Sequence, residues 1–110
     1  DQFGQPTNAN DLAQAVMNII EKETKTYGIF HFSNYPETTW FNFAQKIADF
    51  SGSKIKLNPI TTSEFPTAAK RPKRSTMSLD KIEEVYKIEP KYWQNSLEEC
   101  IQILQKSWKN

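Results

Sequence analysis

The sequence predicts a mostly helical α+β unit of about four helices and two short strands, occupying residues 1–110 as one body. Three observations carry this. Apolar residues recur three and four apart in four separate stretches, the signature of amphipathic helices. Only two stretches, Ile29–Phe32 and Lys54–Leu57, have strand character. A chain of 110 residues has room for one compact unit and not two.

Residues 1–9 read as an entry loop punctuated by Gly4 and Pro6, with Asn8 and Asn10 as good helix caps. Leu12, Val16, Ile19 and Ile20 then fall at helical spacing, which predicts a helix over about residues 10–22. Gly28-Ile29-Phe30-His31-Phe32 is a short run of β-branched and aromatic residues, read as a buried strand and broken by Ser33-Asn34-Tyr35-Pro36. Thr38 or Thr39 can cap the next helix, whose apolar face is Trp40, Phe43, Ala44, Ile47 and Phe50. Gly52 stands where a left-handed closing residue belongs. Lys54-Ile55-Lys56-Leu57 alternates, as a half-exposed strand does.

Residues 58–75 hold Pro59, Pro66, Pro72 and the basic cluster Lys70-Arg71-Pro72-Lys73-Arg74, the longest irregular stretch. Loops of that length in a small unit are usually functional or disordered. Ser78 is expected to cap a short helix carrying Leu79, Ile82 and Val85. Pro90 suits the first turn of a last helix with the face Trp93, Leu97, Cys100, Ile101, Leu104 and Trp108. Two isolated strands cannot make a stable sheet. Ile29–Phe32 is apolar on both faces, so its sheet is expected to lie in residues outside this chain.

Composition narrows the function classes. Fourteen Lys and Arg against 13 Asp and Glu leave a net charge of +1, against a globally basic nucleic-acid binder. Only 37% of residues are hydrophobic but 13% are aromatic, which predicts a thin core built on large rings. Cys100 is alone, so no disulfide framework or Cys-based zinc site can form within the chain, and a cytoplasmic setting is the expectation. No run of about 18 apolar residues occurs, so no membrane span is expected. Asp1-Gln2-Phe3-Gly4 lacks an initiator Met and any signal-peptide pattern, as a piece of a longer chain or a processed terminus would.

Little chemistry is legible in single residues. Gly4, Gly28 and Gly52 are the only glycines, so neither a P-loop nor a G-x-G-x-x-G fingerprint exists. His31, the sole His, reads as a core histidine, without an Asp or Ser partner for catalysis or further ligands for a metal. Cys100 reads as a packed, inert thiol. Glu83-Glu84 and Glu98-Glu99 are sequence neighbours that diverge on a helix, so they read as solvated faces. Lys70–Arg74 places four cations in five residues on a loop stiffened by Pro72. Arg offers a planar fork suited to phosphate, which makes this a local anion site; the bland alternative is a solvated loop.

A series of short motifs adds a resemblance. Asp1-Gln2-x-Gly4-x-Pro6-Thr7, Asp11-Leu12-Ala13, Gly28-Ile29-Phe30-His31, Thr39-Trp40-Phe41-x-Phe43-Ala44, Thr62-Ser63-Glu64-Phe65-Pro66-Thr67, Arg71-Pro72-x-x-Ser75, Leu79-Asp80-Lys81-Ile82 and Trp93-x-x-x-Leu97 occur in that order. Together they resemble the C-terminal third of the dTDP-4-dehydrorhamnose reductases, which are extended short-chain dehydrogenase/reductases. The resemblance covers residues 1 to about 104.

The resemblance implies the C-terminal substrate-binding part of a Rossmann-type α/β reductase. In that family an N-terminal Rossmann domain binds NADPH or NADH, and a Tyr-x-x-x-Lys pair with a Ser or Thr drives hydride transfer to a 4-keto sugar. The product is dTDP-L-rhamnose, used for cell-surface polysaccharide. Here Tyr27, Tyr35, Tyr86 and Tyr92 are followed four positions on by His31, Thr39, Pro90 and Ser96, so no catalytic residue carries over. By itself this chain is expected to bind no cofactor or metal and to reduce nothing. Arg71 matches an Arg-Pro turn that meets the diphosphate of the sugar nucleotide, with Arg74 and Lys70 as helpers. The family's usual Arg-Arg-Pro is Lys70-Arg71-Pro72 here. Gln2 and Thr7 are the other candidate substrate contacts, with a helix-docking loop as the alternative for that segment. The implied partners are a dTDP-sugar and the Rossmann domain; a tendency of the detached piece to dimerise is expected from its open strand edge. Two other functions are alternatives for this sequence: a non-catalytic binding or regulatory relative of the same fold, and a small nucleic-acid module built on the basic cluster, which the net charge of +1 disfavours.

Overall fold

A computed structural model describes residues 1–23 and 25–108. In chain order it contains β1 (Phe3–Gly4), α1 (Ala9–Glu21), β2 (Thr38–Thr39), α2 (Trp40–Ser51), a single 3₁₀ turn (Thr62–Glu64), α3 (Asp80–Tyr86) and α4 (Trp93–Trp108). Four helices and a two-stranded sheet make it the mostly helical α+β unit expected.

The helix ends follow local chemistry. Asn8 caps α1, its side chain accepting from the Asn10 and Asp11 N–H groups. The Lys25 ammonium closes the other end, donating to the Ile19 and Ile20 carbonyls. Thr39 caps α2 by accepting from the Asn42 N–H at 3.1 Å. Gly52 ends α2 at φ 74°, where the Gly52 and Ser53 N–H groups close back onto Asp49 and Ala48. Lys87 ends α3 in the same left-handed conformation, at φ 57°, where a side chain is strained. The expected Ser78 cap of α3 is corrected: Leu79 holds the N-cap place without a side-chain cap hydrogen bond, and the Ser78 hydroxyl only accepts from the Asp80 N–H at 3.4 Å.

The core is thin. Ala15, Ile82, Tyr86 and Ile88 form its centre, with Ile19, Phe30 and Phe32 packed against them. α2 packs on α4, whose buried residues include Trp93 and Ile101, and Phe43 meets the Trp93 ring edge-on at 5.9 Å. The Tyr35–Trp93 region latches α4 to the turn before β2: Tyr35 N–H donates to Lys91 and Trp93 N–H donates to Tyr35.

Several expectations are corrected. Neither predicted strand forms. The sheet is instead β1 against β2, antiparallel, with Phe3 opposite Thr39. Ile29–Phe32 lies against the core with no ladder partner among the described residues, and pairing is what makes a strand. Lys54–Leu57 also has none, and Ile55 is exposed. His31 is exposed and not in the core. Val85 is exposed, its expected place in the core taken by Tyr86 and Ile88. Trp40, Leu104 and Trp108 have helical spacing but are exposed, as are Leu12, Val16 and Ile20 on α1. Cys100 is half-buried.

Candidate functional site

β1 is short, yet it organises one end of the molecule. One edge of Phe3 pairs with β2; on the other its N–H donates to the Lys73 carbonyl at 2.8 Å and its carbonyl accepts from the Ser75 N–H at 3.0 Å. The Gln5 side chain prolongs this contact, accepting from the Met77 N–H and donating to the Met77 carbonyl. The end of the long proline-rich stretch is thereby fixed beside residues 2–7. Gly4 permits the approach: a Cβ there would stand 2.9 Å from Ser75 Oγ.

Two adjoining cavities of about 360 Å³ each open on this arrangement. Gln2, Trp40 and Arg71 line both and form the partition between them. The first cavity is completed by the Gln5–Thr7 loop, Thr38, Thr39, Phe43 and Ser75. The second is completed by Ile60, Phe65, Thr67 and the turn at Thr61 and Thr62. That turn is pinned from the N-terminus: Asp1 Oδ1 accepts from both the Thr62 N–H and hydroxyl, and Gln2 Nε2 donates to Thr62 Oγ1 at 3.2 Å.

The five sequence-predicted residues separate here. Arg71, Gln2 and Thr7 reach the cavities. Lys70 is exposed and lines neither. Arg74 is turned away to Glu37 at 3.1 Å, its guanidinium 4.9 Å from the Phe3 ring centre, so its charge is already countered. Arg71 pairs with no carboxylate among the described residues. Its charge, together with the N-terminal end of α2 at Thr39 and Trp40, which also line the first cavity, makes the partition favourable to an anion. Trp40 is the residue that spacing placed in the core; it is 62% exposed, and its ring walls both cavities. Its position next to the Thr39 cap was the available signal, since a helix's first residue has no preceding turn to pack against.

Behind the first cavity lies a buried polar knot. Asp11 Oδ2 accepts from Asn34 Nδ2 at 2.9 Å and from the Ser96 hydroxyl, while Lys91 Nζ stands 3.4 Å from Oδ1. Asn34, fully buried, accepts from the Asn8 N–H at 2.7 Å and donates its own N–H to the Thr7 hydroxyl. Burial opposes ionisation of Asp11, but the Ser96 and Asn34 hydrogen bonds and the Lys91 charge outweigh it and hold the carboxyl below its ordinary value. This knot sets the course of residues 5–8 along the cavity wall.

The arrangement offers a cation, side-chain amides, hydroxyls and aromatic rings as binding groups. The first cavity carries no side chain that titrates near neutral pH. Among the described residues no group of three His, Cys, Asp or Glu side chains is placed to hold a metal. Gly4 is in β1, Gly28 is in a loop and Gly52 closes α2, so none of the three glycines opens a helix.

Comparison with known proteins adds a family. The RmlD substrate-binding domain family matches residues 1–106. The dTDP-4-dehydrorhamnose reductase of Aggregatibacter actinomycetemcomitans is 40% identical over 107 residues, covering 88% of this chain and 36% of that protein. The spore coat polysaccharide biosynthesis protein SpsK of Bacillus subtilis is 36% identical over 102 residues, covering 93% of this chain and 35% of that protein. Among solved structures, a dTDP-4-dehydrorhamnose reductase from Clostridium acetobutylicum matches 96% of this chain and 37% of its own, at a TM-score of 0.89 and 39% identity. The Bacillus anthracis reductase, solved in complex with NADP, matches 89% of this chain and 34% of its own, at a TM-score of 0.78 and 33% identity. The chain thus spans little more than a third of the length of the curated relatives it matches.

Proposed function

Since this chain belongs to the RmlD substrate-binding domain family, we propose that it is the sugar-nucleotide-holding portion of a dTDP-4-dehydrorhamnose reductase. The nicotinamide cofactor, NADPH or NADH, and the groups that deliver hydride and proton belong to an N-terminal Rossmann portion of the same enzyme. The product on this reading is dTDP-L-rhamnose, made in the cytoplasm for surface polysaccharide. A lone cysteine supports a reducing compartment, and among the described residues no helix is long and apolar enough to cross a membrane.

The observation that carries the reading is Arg71: an unpaired cation on the wall shared by two cavities. A nucleoside diphosphate sugar has the matching form, two bulky ends joined by a dianionic link. Arg71 holds the diphosphate with a charge-assisted contact, aided by the positive end of α2. Gln2 and Thr7 supply amide and hydroxyl groups to the polar parts of the ligand. Trp40 presents an exposed ring to it. These contacts fix the sugar so that its carbonyl meets the reducing centre in one orientation, which lowers the entropic part of the barrier.

Arg71→Ala tests this in the intact reductase. The substrate KM should rise at least about tenfold, equivalent to roughly 1.4 kcal/mol, with the NADPH KM unchanged. Unaltered substrate KM would remove Arg71 from the site.

A further inference from the structure

We propose that Asp1 and Thr62 fix the Gln2 amide so that its carbonyl is the end left free, and that the second cavity is thereby a seat for a pyrimidine base with a ring N–H, thymine or uracil, in preference to cytosine. This deepens the reading above and rests on it, because it takes the ligand to be a nucleoside diphosphate sugar. It assigns the base to one of the two cavities and the choice of base to two positioning residues that act through a third.

The direction of each hydrogen bond among the three residues follows from counting protons. A carboxylate has no proton to give, so at neutral pH Asp1 Oδ1 only accepts. It stands 2.6 Å from Thr62 Oγ1 and 2.9 Å from the Thr62 nitrogen. The single Thr62 hydroxyl proton is therefore committed to Asp1, and Thr62 Oγ1 can only accept from its other neighbour. That neighbour is the Gln2 amide, 3.2 Å away. An amide meets an acceptor only through its NH₂ end. Gln2 Nε2 is thus held against Thr62. Oε1, which has no partner among the described residues, is left as a free acceptor on the partition between the cavities. Without the Thr62 hydroxyl the amide could turn over, since its two ends have nearly the same shape.

The second cavity suits a base better than a sugar. Trp40, Ile60 and Phe65 are 62%, 53% and 67% exposed, and all three line it. Exposed apolar residues scattered singly are ordinary, but three around one cavity offer faces on which a planar ring can stack. A sugar needs donors as well as acceptors for its hydroxyls. Here the hydroxyl protons are spent within the protein: Thr61 donates to Glu64 at 3.0 Å, Thr62 to Asp1, and Thr67 to the Ala69 carbonyl at 2.7 Å. The side-chain polar groups left free on the walls are the Arg71 guanidinium, which meets the diphosphate, and two oxygens that only accept, Gln2 Oε1 and Asp1 Oδ2. Thymine and uracil present a ring N–H between two carbonyl oxygens. Cytosine has a bare nitrogen in that place, itself an acceptor. Set against Gln2 Oε1, the first two gain a hydrogen bond and cytosine brings two lone pairs together, which is how a polar site rejects a near isostere. The first cavity, with Thr38 and the Gln5–Thr7 loop, is then the seat of the sugar.

Calorimetric titration of the intact reductase with dUDP and dCDP reads this directly, because the two differ only at the ring N–H and the substituent beside it. The wild-type enzyme should bind dUDP at least about tenfold more tightly than dCDP. Thr62→Val keeps the volume and removes the hydroxyl; the ratio should fall below about threefold, with the NADPH affinity unchanged. A residue that merely supports the fold would weaken both nucleotides alike and leave the ratio where it was. Asp1→Asn can donate to Thr62 where Asp1 only accepts, which reverses the relay and offers the Gln2 NH₂ group. The ratio should fall there as well, and this variant decides the matter where Thr62→Val does not fold. A wild-type ratio near one, or an unchanged ratio in a folded variant, overturns the proposal while leaving the nucleotide reading in place. Failure of the wild-type enzyme to bind either nucleotide defeats the nucleotide reading and this proposal with it.

Discussion

Asp11 illustrates how one side chain ties local sequence to the site. It stands in the first turn of α1, where a negative charge suits the helix dipole. Its carboxylate gathers Ser96 from α4, Asn34 from the turn before β2 and Lys91 from the loop between α3 and α4. Its folded-state pKa is lowered, so the unfolded chain binds the proton more readily. The stability it contributes is therefore complete above its ordinary value of 3.8 and is lost as pH falls through the lower folded value. Thermal unfolding followed from pH 7 to pH 2.5 should show this loss, and Asp11→Asn should flatten it. At pH 7 that variant should be destabilised by about 1–3 kcal/mol, because a charged acceptor of buried hydrogen bonds is gone. A variant that keeps the wild-type acid slope would assign the slope to other carboxylates. The same scale explains Arg74. In sequence it looks equivalent to Arg71; in space Glu37 has claimed it.

Among the elements, the helices are locally encoded and the strands are not. Asn8, Thr39 and Gly52 mark helix ends by their own chemistry, and each does so in the structure. α3 is the weak case. It has seven residues and ends on Lys87 at φ 57°, a conformation that disfavours a Cβ. Lys87→Gly should relieve this and stabilise the protein by about 0.5–1 kcal/mol, seen as a higher urea midpoint. An unchanged or lower midpoint would mean that the exposed lysine contributes more through its charge than the backbone loses. β1 and β2 contain two residues each and carry no strand signature. They exist because Phe3 lies between β2 and the Lys73–Ser75 loop, a relation between residues 70 positions apart that no local pattern announces. Conversely, Ile29–Phe32 has the strand signature and no ladder, because pairing needs a neighbour as well as a propensity.

The whole molecule is open. Its radius of gyration is 16.6 Å, where about 13 Å is typical for a compact domain of this length. Its extents of 49 × 40 × 22 Å describe a slab, and its core residues are few. A molecule with so little buried area releases little on unfolding, so the isolated chain should show a urea m-value near the lower end for small proteins, about 1 kcal/mol/M. A value typical of a larger domain would show that more of this surface is covered in solution. The same openness accounts for what the sequence did and did not determine. Helix positions, the Asn8, Thr39 and Gly52 ends, the family and the nomination of Arg71, Gln2 and Thr7, which line one cavity, were readable because each depends on neighbours in the chain or on a motif kept in order, whereas Ser78 does not cap α3 and Pro90 lies before the first turn of α4. The exposure of Trp40 and His31, the capture of Arg74 by Glu37, the partition of the cleft and the bare stripe of α1 were decided by tertiary structure. Periodicity records that a residue is apolar and which way it points from its own helix. Whether anything stands there to meet it depends on segments far away in sequence, and here on surface that this chain leaves uncovered.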